Sequence, residues 1–153
     1  MIRAAVAEAR AFDSWSDYQQ ALKRAIEPLG DEQLQRRPLP GRRTPGEVAE
    51  HIVFGRALHL TGVLGDEASE LADLLRWDHA DDPPRTAAEI VEGLERTWRV
   101  LQDRLMRGSA SDVLTTDEAT VAQTIWGLLD HDLPHAGQLS LLLVALGLPG
   151  VDI

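Results

Sequence analysis

Histidine is the residue type to follow in this chain. There are 5 histidines and no cysteine. Two of them, His131 and His135, stand four apart in Leu129-Asp130-His131-Asp132-Leu133-Pro134-His135-Ala136-Gly137-Gln138-Leu139. On a helix this spacing stacks two imidazoles on one face and points both rings at a common spot, which suits a divalent metal. A third histidine from a facing helix would complete a three-histidine facial site. Such a site leaves positions open for water or substrate, as catalytic chemistry requires. The lack of cysteine removes thiolate nucleophiles, disulfides, Cys-based zinc sites and protein-ligated iron–sulfur clusters together.

The elements that must hold these residues are helices. Val121, Ile125, Leu128, Leu139, Leu142 and Leu146 recur on one face of a segment running from near Ala119 towards Leu146, with Gly147, Pro149 and Gly150 ending it. The same rhythm carried through the middle lands on Asp132 and His135, so the apolar stripe turns polar there. A second helix opens at Thr44-Pro45-Gly46-Glu47, a capping box with proline at the first helical position, and runs to about Leu64. Val48, Ile52, Gly55 and Leu58 mark its inner face, and His51 lies on that face. A buried imidazole must find a partner for each polar nitrogen. Hydrogen bonds to protein groups or a shared metal ion both satisfy that need, and spacing alone leaves the two open. Pro134 lies between the paired histidines, deletes one helical hydrogen bond and presses on the carbonyl of Asp130, so a kink is expected there.

Two further helices complete the set. Trp15, Tyr18, Leu22, Ile26 and Leu29 form a stripe from Asp13 to Leu29, stopped by Gly30. Residues Asp31 to Arg43 carry Pro38, Pro40 and Gly41 and read as a connection. A second capping box, Thr86-Ala87-Ala88-Glu89, opens a helix with Ile90, Leu94, Trp98, Leu101 and Leu105 on one stripe, ending near Gly108. Between helices two and three, Asp66 to Arg85 is a long connector holding a short helix around Glu67 to Leu75. An antiparallel hairpin needs only a few residues, whereas some 20 can traverse the bundle, so helices two and three are expected to run parallel. The expected fold class is all-α: one four-helix bundle over residues 1–153.

At 153 residues the chain is long enough for one domain with a sizeable core. Lys and Arg total 15 against 25 Asp and Glu, a net charge of −10, which disfavours nucleic acid and anionic membrane surfaces as partners. The longest nearly apolar run, Leu139 to Leu148, is about half of a membrane span. With Glu8 interrupting the N-terminal stretch, no signal peptide is read, and a soluble cytoplasmic protein is expected.

Other polar residues each carry two readings. Asp132 could orient a ligand imidazole or act as a base, or it could be a solvated rim carboxylate. Glu47 sits one turn before His51 but already serves the capping box. Gln138 could serve the site or a helix contact. His59 is two turns past His51, too far along the axis to share its metal, and reads as a packing residue. His79 reads as a surface residue. Arg36, Arg37, Arg42 and Arg43 could guide an anionic ligand or simply pair with acidic neighbours. No serine-hydrolase elbow, P-loop or dinucleotide fingerprint occurs.

Thr44-Pro45-Gly46-Glu47-Val48-Ala49-Glu50-His51-Ile52, together with His131-Asp132-Leu133-Pro134-His135-Ala136-Gly137-Gln138, resembles the helix-two and last-helix motifs of the DinB/YfiT-like superfamily of candidate metalloenzymes. The tail Leu146-Gly147-Leu148-Pro149 fits the same pattern. The resemblance implies an up-down-down-up bundle and a divalent metal, often zinc or nickel, on His51, His131 and His135. It often implies a homodimer acting on a small-molecule substrate. Some members of the family are transferases that use a low-molecular-weight thiol cosubstrate. Two functions therefore stand: a metal-dependent enzyme, either thiol S-transferase-like or a hydrolase, assisted by Asp132; or a non-catalytic bundle with a structural or vestigial histidine cluster.

Overall fold

The structure is a computed structural model that describes residues 2–78, 82–108 and 121–152, with side chains for residues 13–78, 82–104 and 126–152. The described residues form five α-helices: α1 (Ile2–Ile26), α2 (Asp31–Gln35), α3 (Pro45–Leu64), α4 (Ala87–Gly108) and α5 (Val121–Ala145). A 3₁₀-helical segment, Gly65–Arg76, kinked at Ala68 where φ/ψ leave the helical range, links α3 to the approach of α4, and there is no strand among the described residues. None of the helices is long and apolar enough to cross a membrane.

Both capping boxes form. Thr44 Oγ1 accepts from the Glu47 N–H at 3.1 Å while Glu47 Oε2 accepts from the Thr44 N–H at 2.6 Å. Thr86 and Glu89 repeat the exchange at 3.3 and 2.8 Å, and the hydrogen bonds at its carboxylate hold Glu89 below the usual pKa range. At the far end of α5, Leu148 N–H reaches the Leu143 carbonyl at 3.0 Å across Gly147, whose φ of 77° is the left-handed value a helix C-cap needs.

Cross-helix contacts fix the directions of the four long helices. Trp15 stacks on Trp98 at 6.4 Å and Gln19 donates to the Leu94 carbonyl at 3.1 Å, so α1 and α4 are antiparallel. His51 meets His135 while Gly55 meets His131, so α3 and α5 are antiparallel. Glu50 accepts from the Arg85 N–H at 3.1 Å, and Val53 packs against Gly93, so α3 and α4 run the same way. The order is up-down-down-up. The crossover that makes it possible is packed down at several points. Ala68, Leu71 and Leu74 are fully buried, and Arg96 grips Asp73 at 2.6 and 2.8 Å. Trp77 seats where a Cβ on Gly93 would meet its ring at 2.8 Å.

Several boundaries differ from the periodicity. α1 starts at Ile2 rather than at Asp13, because the Ala-rich segment before it continues the helix without a break. The short α2 falls inside the expected connection, and five residues are too few to show a repeat. Leu58, expected on the inner face of α3, is 53% exposed. The buried arc of α3 runs instead through Val48, Ala49, Ile52, Val53, Arg56 and Leu60, which leaves His51 on its flank. The expected helix start at Ala119 and the side chains of Leu105, Val121 and Ile125 lie outside the described residues, as does His79.

Candidate metal centre

Helices α3 and α5 lie close because each places a glycine under the other's histidine. A Cβ on Gly55 would overlap the His131 ring, and one on Gly127 would overlap His59. Seated on Gly55, the His131 ring centroid lies 5.3 Å from that of His51 and 4.8 Å from that of His135. His51 and His135 are 4.5 Å apart, edge to face. One ligand atom from each of the three lies within 4.8 Å of the others. His51 and His131 are 18% and 27% exposed, so the cluster sits at the edge of the core and is open on one side.

Each ring is held from behind by its Nδ1. His51 Nδ1 donates to Asp78 Oδ2 at 3.0 Å, His131 Nδ1 to Asp132 Oδ1 at 3.2 Å, and His135 Nδ1 to Gln138 Oε1 at 3.3 Å. Carboxylate and amide oxygens can only accept, so in each case Nδ1 carries a proton, and in the neutral ring Nε2 is the nitrogen left with the lone pair. Among the described residues no hydrogen bond reaches the Nε2 of any of the three. Three imidazoles with outer acceptors are a donor set for a borderline divalent cation such as zinc or nickel. The residues therefore fit such an ion. Burial lowers the pKa of His51, Arg43 adds to the effect, and Asp78 opposes it, so the neutral, ligating form is favoured in the fold.

Asp132 is fully buried in the centre of the α5 stripe, not at a solvated rim. Its Oδ2 pairs with Arg56 Nε at 2.6 Å, which leaves Oδ1 for His131. This placement suits the orienting role better than that of a base reaching substrate. Helix α5 continues through Pro134 to Ala145, and the histidines on either side of the proline both reach the cluster. Glu47 is occupied by the cap and by Arg37, at 3.0 and 3.2 Å. Arg43 pairs with Asp78 at 3.5 Å, so half of the basic cluster is taken up by acidic neighbours. His59 is partly buried over Gly127 and is not in the cluster.

Asp78, Arg56 and Gln19 are missing from the sequence reading. Arg56 does carry a signal, as the one charged residue between Glu50 and Asp66. A guanidinium in so apolar a helix needs a buried acid. Asp78 has none, because it comes from the connector.

The DinB superfamily profile matches residues 15–139. Among curated proteins none matches. A crystal structure of a protein from Exiguobacterium sibiricum 255-15, described as a candidate member of the DinB family, superposes with a TM-score of 0.58 at 25% identity, covering 94% of this chain and 91% of that one. The matched span runs from Trp15 through all three converging histidines, and the solved fold agrees with the bundle: the chain belongs to the DinB superfamily.

Proposed function

We propose that the chain is a cytoplasmic enzyme dependent on a divalent metal, zinc or nickel, held by His51, His131 and His135, and acting on a small-molecule substrate. The observation that carries this reading is the convergence of the three rings, one ligand nitrogen of each within 4.8 Å of the others, with an acceptor at every Nδ1. A purely structural histidine cluster would be expected to spend both nitrogens on protein groups. Once bound, the cation would supply a Lewis acid that lowers the pKa of a nucleophilic O–H or S–H group. The protein's own work is to hold three ligands on one side and keep the other open. Phe54, 6.0 Å from His51, adds an apolar wall. Asp132 and Asp78 raise the basicity of their imidazoles. The reaction is transfer to a low-molecular-weight thiol or hydrolysis.

The test is reconstitution of purified protein with zinc or nickel, followed by assay of an electrophilic substrate with and without a low-molecular-weight thiol. One metal per chain and metal-dependent turnover is the expected result. Thiol-dependent turnover selects the transferase and thiol-independent turnover the hydrolase. Tight metal binding with no turnover in either assay selects a non-catalytic bundle.

A homodimer is proposed through α5. Trp126, Leu133 and Val144 are 71%, 44% and 59% exposed and share one helix face, with Leu141 at its edge. Sedimentation of the full chain should show a dimer that Leu141→Glu weakens; a monomer in both forms removes the proposal.

A further inference from the structure

Behind the cluster, a chain of buried polar groups touches all four long helices. Its first link is the Leu94 carbonyl on α4, which accepts from Gln19 Nε2 on α1 at 3.1 Å. Gln19 Oε1 accepts from Arg56 Nη1 on α3 at 2.6 Å, and Arg56 Nε donates to Asp132 Oδ2 on α5 at 2.6 Å. Asp132 Oδ1 then accepts from His131 Nδ1–H at 3.2 Å. Gln19, Arg56 and Asp132 are 0%, 2% and 0% exposed. The guanidinium is also bracketed by Trp15 and Tyr18, each ring centroid 5.9 Å from its central carbon.

A buried ion pair is a weak source of stability, because desolvation offsets most of its attraction. What this one does provide is orientation. The planar guanidinium offers its donors in a fixed fork, so Gln19 on one side and Asp132 on the other settle the carboxylate's rotation. With Oδ2 claimed by Arg56, only Oδ1 can face the imidazole. The other two rings have separate acceptors, Asp78 and Gln138, which the chain does not touch.

We infer that Arg56 is a positioning residue for a single ligand: braced by Gln19, it aims Asp132 at His131 Nδ1 and so holds His131 Nε2 toward the metal. The inference rests on the metal-centre reading, but its first readout needs no metal. In metal-free protein at pH 8, ¹⁵N NMR of the imidazoles reports which nitrogen of each histidine carries the proton. Wild type should show the Nδ1–H form at His51, His131 and His135. Arg56→Met keeps the volume and removes the fork. It should shift His131 away from that form, leave His51 and His135 as they were, and weaken cobalt or zinc affinity about 10–100-fold. Arg56→Lys keeps a charge near Asp132 but lacks the fork, so it should restore only part of the affinity. A general packing role would instead disturb all three rings together.

If Arg56→Met fails to fold, Gln19→Leu removes the brace and leaves the pair. It should produce a smaller change of the same sign, again confined to His131. An unchanged His131 in a folded variant, or equal changes at all three rings, overturns the inference. A wild type that shows the three Nδ1–H forms but takes up no divalent metal overturns the metal-centre reading and leaves the positioning role standing.

Discussion

Two layers of the α3–α5 interface are built by the same device and differ in what they can do. In one, His131 rests on Gly55; in the other, His59 rests on Gly127. Both glycines let a ring lie where a Cβ would otherwise stand, and both draw the helices together. The His131 layer adds His51 and His135, with an acceptor behind every ring. The His59 layer lies two turns from His51, roughly 12 Å along the axis, and His59 joins no such cluster. A histidine seated on glycine is therefore a packing motif. It becomes a candidate metal centre only where other rings converge on it and their tautomers are set.

The sharpest break in this comparison is deletion of a ring. His131→Ala or His135→Ala should abolish one-to-one metal uptake in a protein that still folds, whereas His59→Ala should retain it. Elemental analysis of the folded variants decides; uptake retained without His131 removes it from the ligand set. Next come the two seats. Gly55→Ala should displace His131, lower metal affinity at least tenfold and cost about 1–3 kcal/mol of stability from overpacking. Gly127→Ala should cost a similar amount, read by denaturant melts, with affinity unchanged within about twofold. Equal affinity losses would mean that the layers are mechanically one unit.

Acid sharpens the contrast more gently. Burial and Arg43 lower the pKa of His51 in the fold, with Asp78 opposing, while the unfolded chain titrates near the ordinary value of about 6.5. As pH falls the unfolded state takes up that proton first. Metal-free protein should therefore lose stability from about pH 7 downward, through 6.5 and below. Metal affinity should fall too, by about tenfold per pH unit for each ligand protonated in the free protein. Affinity unchanged between pH 7 and 5 would point to carboxylate ligands. The smallest effect belongs to Pro134→Ala, at an exposed position between the two α5 histidines of the cluster. It should raise stability, by less than the roughly 3 kcal/mol difference in helix propensity, and change affinity less than Gly55→Ala does. A drop in affinity as large as that of Gly55→Ala would make the proline part of the site.

The parts of the molecule that were legible are those written in local repeats. The capping boxes at Thr44 and Thr86 mark two helix starts, and the length of the connector announces a parallel pair. The polar break at Asp132 and His135 in the α5 stripe exposes the cluster. Leu58 misleads because a four-point stripe fits more than one rotation of α3. Only the full run of buried residues, Arg56 among them, shows which arc faces the core. Residues that meet their partners across helices, such as Gln19 with Leu94 and Arg56 with Asp132, leave no spacing to read.

Asp78 has a different standing from the other acceptors. Asp132 and Gln138 ride on the same helix as the rings they hold, so any change there is also a change in bundle packing. Asp78 arrives on the crossover, two residues past its 3₁₀ helix, and shares its carboxylate with Arg43 and His51. The loop that lets α3 and α4 point the same way thus also supplies the acceptor behind one ring of the cluster. Loop substitutions can retune that ring while the four helices stay as they are. Among descendants of one scaffold, reactivity and architecture are then free to diverge at different rates, and the crossover is where the first difference would be written.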